Sequence, residues 1–317
     1  MTTVVTGKTV VLCYHNVVPD DTPRELEAAM LGVRRSNLEA QLRFLRRRLD
    51  ALTFEDLEHR KVPRRGMIVT FDDGYRAILT HALPLLRSLD LPAYAFVNPA
   101  FVGGWNPRDQ LMGLALYGSG DARRAVGEFL AVKMPDGGVA TRARHFLALR
   151  PRMWQVMASR AEGGVADIEA LFARHGDSQM RRALEGSRLL SWDDVQRLSR
   201  WGVRIGNHTR RHLELDALPR PLVRWEIQEG AMDLRRHLGT DLPVISYPRG
   251  KCNDVVREEA AAAGYRWGLL SVPGSLSDGR PTLTAPRVLV SPGLGVLGLL
   301  WKMSRVRQWA GGVRRWR

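Results

Sequence analysis

The sequence predicts an α/β chain built on a parallel sheet with helices covering both faces. Two observations carry this. Short apolar runs at residues 9–14, 67–71, 93–98, 203–206, 244–247, 266–270 and 287–290 are near-continuously apolar rather than alternating, the pattern of strands buried on both sides. Helical patterns at residues 34–49, 75–88, 192–200, 221–238 and 254–263 fall between them, as parallel pairing requires. An α/β barrel and an open doubly wound sheet both fit that alternation.

The individual elements carry local signals. Ser191-Trp192-Asp193-Asp194 has capping-box spacing at the start of the 192–200 helix, with Asp in place of the usual Glu or Gln. Gly202 and Gly264 stand where helical C-terminal stops belong. The alternation breaks between about residues 105 and 188, which lack β runs and read as helical at 121–133, 140–149 and 166–175. This is expected to be a helical insertion on the loop face of the sheet, the face where such folds place their sites.

The composition bounds the function. With 317 residues the chain allows two units or one barrel carrying an insertion. Apolar residues at 44% and charged residues at 26% exclude wholesale disorder. Two cysteines, Cys13 and Cys252, exclude a disulfide scaffold and a four-cysteine zinc site within one chain. The net charge of +15 favours anionic surroundings. The arginines are scattered and no nucleic-acid motif is present, which argues against nucleic acid as the partner.

The first residues lack a basic start, a long apolar core and a small-residue cleavage site, so a cytoplasmic location is expected. No apolar stretch reaches the ~18 residues of a membrane span. Past Asp278 every charged residue is basic, and Leu297, Leu300, Met303, Val306, Trp309, Val313 and Trp316 recur at helical spacing. Residues 292–317 therefore read as a basic amphipathic tail. Such a helix can dock on the protein body or lie peripherally on the inner membrane face.

Four clusters at strand ends could carry chemistry. In Thr70-Phe71-Asp72-Asp73-Gly74, two carboxylates end an apolar run, and Gly74 permits the break that would turn both into one site. Paired acids can divide metal ligation and general-base work. In His208-Thr209-Arg210-Arg211-His212, histidines four apart can present two imidazoles to one metal. Two histidines plus one carboxylate leave positions open for water on zinc or a similar divalent ion. Ser246-Tyr247-Pro248-Arg249-Gly250 offers a backbone amide near Tyr247 for an oxyanion and Arg249 for substrate. His15, after the first strand, is a candidate general acid. Each cluster alone also fits an ordinary turn, cap or surface histidine.

Together and in this order, these residues resemble the polysaccharide deacetylases with a NodB-homology domain, carbohydrate esterase family 4. Thr70 to Gly74 resembles the family's first motif, His208 to His212 its second, and Val244 to Gly250 its Tyr-Pro-x-Gly segment. The resemblance covers about residues 8–104 and 188–291. It implies a distorted (β/α) barrel of about seven strands over residues 1–291, interrupted by the 105–188 insertion. It also implies a divalent metal, zinc by the donor set, held by Asp73, His208 and His212, with Asp72 as the base that activates water and the Tyr247 amide at the oxyanion. The family's late Leu-x-His acid is missing, since no histidine follows His237. Tyr14-His15 instead resembles a subset with an N-terminal Tyr-His motif, which makes His15 the expected acid. The family's arginine ahead of the Pro-Tyr motif is also absent from this segment, and Arg249 stands where that subset often has Tyr.

The implied reaction is removal of N-acetyl groups from an amino sugar in a polysaccharide, lipid-linked or nucleotide-linked glycan. Two alternatives stay open on sequence. One is an amidohydrolase of the same fold acting on a non-sugar C–N bond. The other is a non-catalytic basic module binding acidic glycan or nucleic acid.

Overall fold

The computed structural model describes residues 8–59, 65–240, 243–276 and 280–304. Seven parallel strands form its centre: β1 Lys8–Tyr14, β2 Arg65–Phe71, β3 Ala93–Val97, β4 Val203–Asn207, β5 Val244–Ser246, β6 Trp267–Leu269 and β7 Val288–Leu289. They lie in the order β7-β1-β2-β3-β4-β5-β6, each sequential strand beside its predecessor and the last returning to the first. The sheet curls towards closure between β6 and β7. There the approach to β7 bridges Ala285 to Leu269, and on its other side the chain after β7 continues along β1, where Val290 N–H donates to the Cys13 carbonyl at 2.9 Å. The architecture is a distorted (β/α) barrel rather than an open doubly wound sheet.

All seven expected strands are present, with ends shifted by up to two residues at either side. Three short strands were not legible: Asn16–Val18 pairs with Gly32–Arg34, and Asp50–Ala51 pairs with β2. With two or three residues each, they offer no periodicity to read. The 75–88 segment is not one regular helix. It opens as a turn, passes through a π-helical stretch at Ile78–Ala82 and continues as an α-helix at Leu83–Ser88, with Pro84 in its first turn.

The packing follows the strand pattern. Val10, Leu12, Val69, Phe71, Ala95 and Ile245 are buried in one large cluster with the inner faces of the helices. The helices Trp192–Arg200, Arg220–Leu238 and Asp254–Ala262 cover the sheet. The expected capping box forms: Asp194 N–H donates to Ser191 Oγ at 3.1 Å and Ser191 N–H to Asp194 Oδ2 at 3.2 Å.

Between β3 and β4 the chain forms α-helices Pro107–Tyr117, Gly120–Leu130, Val139–Ala148, Arg150–His175 and Ser178–Ala183. They share a second apolar cluster that includes Leu111, Leu114, Val126, Phe146, Ile168 and Phe172. Near the end of the described chain, the helix Val296–Ser304 buries Leu299 and Met303. Of the expected stripe, Met303 is buried and Leu300 packs partly buried against the core, whereas Leu297 is 83% exposed and Leu299, outside the stripe, is buried. Val306, Trp309, Val313 and Trp316 lie outside the described residues. Among the described residues, no helix is long and apolar enough to cross a membrane.

Candidate active site

The C-terminal ends of the strands converge on a cavity of about 500 Å³. Its wall holds His15 beyond β1, Asp72 and Asp73 beyond β2, and His208 and His212 beyond β4. Arg249 lines it too, from the turn that follows β5. This is the face on which barrels of this type carry their sites.

Asp72 and Asp73 are neighbours, yet both reach the cavity. An extended strand would send them to opposite faces. The strand ends at Phe71 instead, and Asp73 turns into the left-handed region at φ 69°, followed by Gly74 at φ 72°. His212 at φ 55° and Arg249 at φ 56° are held the same way. Such non-glycine conformations cost about 1–3 kcal/mol each and persist where surrounding structure enforces them.

Asp73, His208 and His212 each bring one donor atom to within 4.8 Å of the others. Both histidine Nε2 atoms lie 3.3 Å from Asp73 Oδ1. His208 Nδ1 lies 2.7 Å from the Ser246 carbonyl, which can only accept, so Nδ1 carries a proton. That interaction orients the ring and turns Nε2 towards Asp73, an arrangement typical of metal-ligating histidines. Asp73 Oδ1 is buried and has no hydrogen-bond partner of good geometry. Two nitrogens and one carboxylate oxygen around an unsatisfied buried acceptor fit a divalent cation such as zinc, with room for further ligands. Burial opposes the charged form of Asp73, but the two histidines outweigh it and hold its carboxyl well below the usual range. Burial likewise works against charge on His208, yet Asp72 and Asp73 together raise its pKa.

Asp72 occupies a different environment. Arg287, fully buried, forks onto it: Nη1 donates to Oδ1 at 2.8 Å and Nη2 to Oδ2 at 2.7 Å. Ser246 Oγ donates to Oδ2 at 3.1 Å, and Cys13 Sγ lies 3.5 Å from the same oxygen. Burial raises the Asp72 pKa, but Arg287 overrides it and the carboxyl lies below its ordinary value. The arginine missing ahead of the Pro-Tyr motif is thus replaced in space from the last strand. The sequence signal was Pro286-Arg287 at the head of β7, and nothing in it pointed to a partner 215 residues away.

His15 sits beside Asp72. A ring nitrogen of His15, Cys13 Sγ and an Asp72 oxygen lie within 4.8 Å of one another. Burial lowers the His15 pKa against the pull of Asp73 and Asp72. This trio is a poorer cation site than the first, because Arg287 already neutralises Asp72 and burial pushes the Cys13 thiol far from ionisation.

One expected site residue is corrected. Tyr247 does not line the cavity. Its ring is fully buried in the barrel core, and its backbone N–H already donates to the Leu269 carbonyl at 3.2 Å. The sheet ladder runs one residue beyond the end of β5 and takes the amide that was expected at the oxyanion. Arg249, two residues on, does line the cavity, and it pairs with Glu214.

Comparison with known proteins bears on the fold and on part of the site sequence. The family model described as polysaccharide deacetylase matches residues 156–268, a stretch holding His208 to His212 and Tyr247 to Gly250 but not Asp72-Asp73. Over this stretch the chain is similar to the polysaccharide deacetylase family. Members of this family hydrolyse N-acetyl C–N bonds of sugars. A putative polysaccharide deacetylase YxkH of Bacillus subtilis is 29% identical over 105 residues, 33% of this chain and 38% of that protein, so the match spans well under half of either. Among solved structures, the Streptococcus pyogenes deacetylase PplD in complex with acetate superposes with a TM-score of 0.60 at 16% identity, covering 94% of this chain and 99% of that one. IcaB from Ammonifex degensii gives 0.59 at 19% identity, covering 94% and 97%. At such identities the structural likeness speaks for the fold.

Proposed function

We propose that this chain is a metal-dependent hydrolase that removes N-acetyl groups from an amino sugar in a polysaccharide, lipid-linked or nucleotide-linked glycan. The observation that carries the reading is the juxtaposition of Asp73, His208 and His212 beside a second, separately anchored carboxylate, Asp72. Asp73, His208 and His212 would hold the cation. A bound divalent ion there supplies Lewis acidity, which makes water easier to deprotonate and offsets charge developing on the amide oxygen.

The remaining work falls to the chain's own residues. Asp72 accepts the proton of the attacking water on a carboxylate oxygen. The Arg287 fork keeps that carboxylate ionised and aimed, so the base is in place before substrate arrives. His15 donates a proton to the departing amine nitrogen, which must leave as a neutral amine. Burial lowers the His15 pKa, while the neighbouring Asp73 and Asp72 favour its protonated form. Arg249, at the cavity wall, contacts the substrate.

The deciding experiment is acetate release from N-acetylglucosamine oligomers set against ammonia or acid release from small cyclic amides. Acetate from the sugar alone supports the reading. Turnover of the cyclic amides alone replaces it with a non-sugar amidohydrolase.

Peripheral membrane contact through the tail is a further part of the proposal, supported by the exposure of Leu297 and by the basic excess after Asp278. Deleting residues 305–317 should reduce co-sedimentation with anionic vesicles, and unchanged co-sedimentation would remove the contact.

A further inference from the structure

The helical segment between β3 and β4 does more than cover the sheet. It places Asn106, Pro107, Arg108, Arg150, Pro151 and Met157 in the wall of the cavity that holds the Asp-His-His cluster. Two of these six are arginines, and their surroundings are unusual.

Arg108 is 4% exposed. One of its guanidinium nitrogens, Nη1, reaches Asp109 Oδ1 and lies 3.5 Å from the Tyr75 hydroxyl. The other two, Nε and Nη2, have no hydrogen-bond partner. The other oxygen of Asp109 accepts from the Tyr75 hydroxyl at 2.8 Å. A buried guanidinium with unsatisfied donors is costly. Arg150 has no ion pair among the described residues, and Arg108 and Arg249 are the charges that bear on it. Burial first, and those two cations after it, lower its pKa. The carboxylates bordering the same cavity are Asp72 and Asp73. The first is neutralised by Arg287, and the second faces two histidines.

A neutral acetylated sugar gives these guanidiniums nothing of matching charge. An oxyanion does, because the planar fork of an arginine takes two oxygens at once. We propose that Arg108 and Arg150 bind a phosphate carried by the substrate, so that the acetylated amino sugar enters the cavity as a phosphate ester. Two cations with one incompletely used carboxylate partner match a phosphate dianion better than a single carboxylate charge. The proposal rests on the deacetylase reading and names the substrate class of that same site. It also gives the helical segment a task in selecting what reaches the cluster.

The test is equilibrium binding to the full chain after metal removal, so that no cation can mediate the contact. The probes are N-acetylglucosamine 1-phosphate, N-acetylmuramic acid and unmodified N-acetylglucosamine. The phosphate ester should bind at least ten-fold more tightly than the neutral sugar, with the advantage shrinking as salt rises. Arg150→Ala should abolish most of that advantage and leave the neutral sugar unaffected. Arg108→Lys, which keeps the charge beside Asp109 but loses the fork, should reduce it in part. Equal affinity for phosphorylated and neutral sugar overturns the proposal, as does an advantage that survives both substitutions. An equal gain with the carboxylate sugar overturns the assignment to phosphate.

Acetate release from the same three compounds, measured with zinc restored, separates the two levels. Phosphate-dependent binding without release from any sugar would contradict the deacetylase reading and leave the anion site standing. Release with no preference for the phosphate ester would contradict the anion site alone.

Discussion

The Arg287–Asp72 pair makes a quantitative prediction. Both side chains are out of water, at 0% and 2% exposure, and they meet through two hydrogen bonds of 2.8 and 2.7 Å. Replacing Arg287 by Met keeps an unbranched chain of similar reach and removes the charge. Asp72 is then a buried carboxylate without a counter-ion, and the Leu270 carbonyl loses its 2.9 Å bond from Arg287 Nε. Breaking one side of a buried pair costs about 3–5 kcal/mol. The lower end applies here, since Ser246 Oγ still donates to Asp72 at 3.1 Å. With a urea slope of about 3 kcal/mol/M, a loss of about 3 kcal/mol moves the unfolding midpoint down by about 1 M. Tryptophan fluorescence in urea measures it. The double variant Asp72→Leu/Arg287→Met removes both charges and should recover most of the loss. If Arg287→Met unfolds within about 0.2 M of the parent, or if the double variant is less stable than the single one, the pair does not anchor Asp72 as argued.

Three further outcomes are expected. Asp72→Asn should bind zinc like the parent and lose about 10²–10⁴-fold in turnover, read by acetate release alongside elemental analysis. His15→Ala should also retain the metal and lose turnover over a similar range, and an unchanged rate would remove His15 from the reaction. Asp109 gives a pH dependence. Burial lifts its pKa to about 6 in spite of Arg108, so the folded chain resists its ionisation more than the unfolded chain does. Its contribution to stability therefore falls as pH rises from about 4 to about 6, by about 3 kcal/mol. Asp109→Asn should flatten that part of the stability profile, and a profile identical to the parent's would contradict the assignment.

Much of the barrel was legible because parallel strands buried on both faces leave near-continuous apolar runs, and β1 to β7 each left one. The Asp72-Asp73 pair and the 208/212 histidine pair stood out because each sits where such a run stops. What the sequence hid was partnership across space. Arg287 read only as the first residue of the last apolar run, and the closure of the sheet is what brings it to Asp72. Tyr247 was misplaced because the reach of a hydrogen-bond ladder is set by the neighbouring strand, here through Leu269, and not by the residue itself. Arg108 was silent for a related reason. In a helical pattern an arginine reads as solvated surface, and its burial depends on how the segments around Phe146 and Phe172 fold back together. The adjacent carboxylates carried a subtler surprise. Gly74 was expected to make the turn, but the left-handed conformation begins at Asp73, which strains a non-glycine residue to bring both acids to one side.

The central claim is tested most directly by metal content. The chain is stripped with chelator, equilibrated with zinc and desalted, and the bound metal is counted beside Asp73→Ala and His208→Ala variants that show the parent's far-ultraviolet circular dichroism. The account predicts one zinc per parent chain and none in either variant. A parent chain that holds no zinc, or an Asp73→Ala chain that holds as much as the parent, would contradict it.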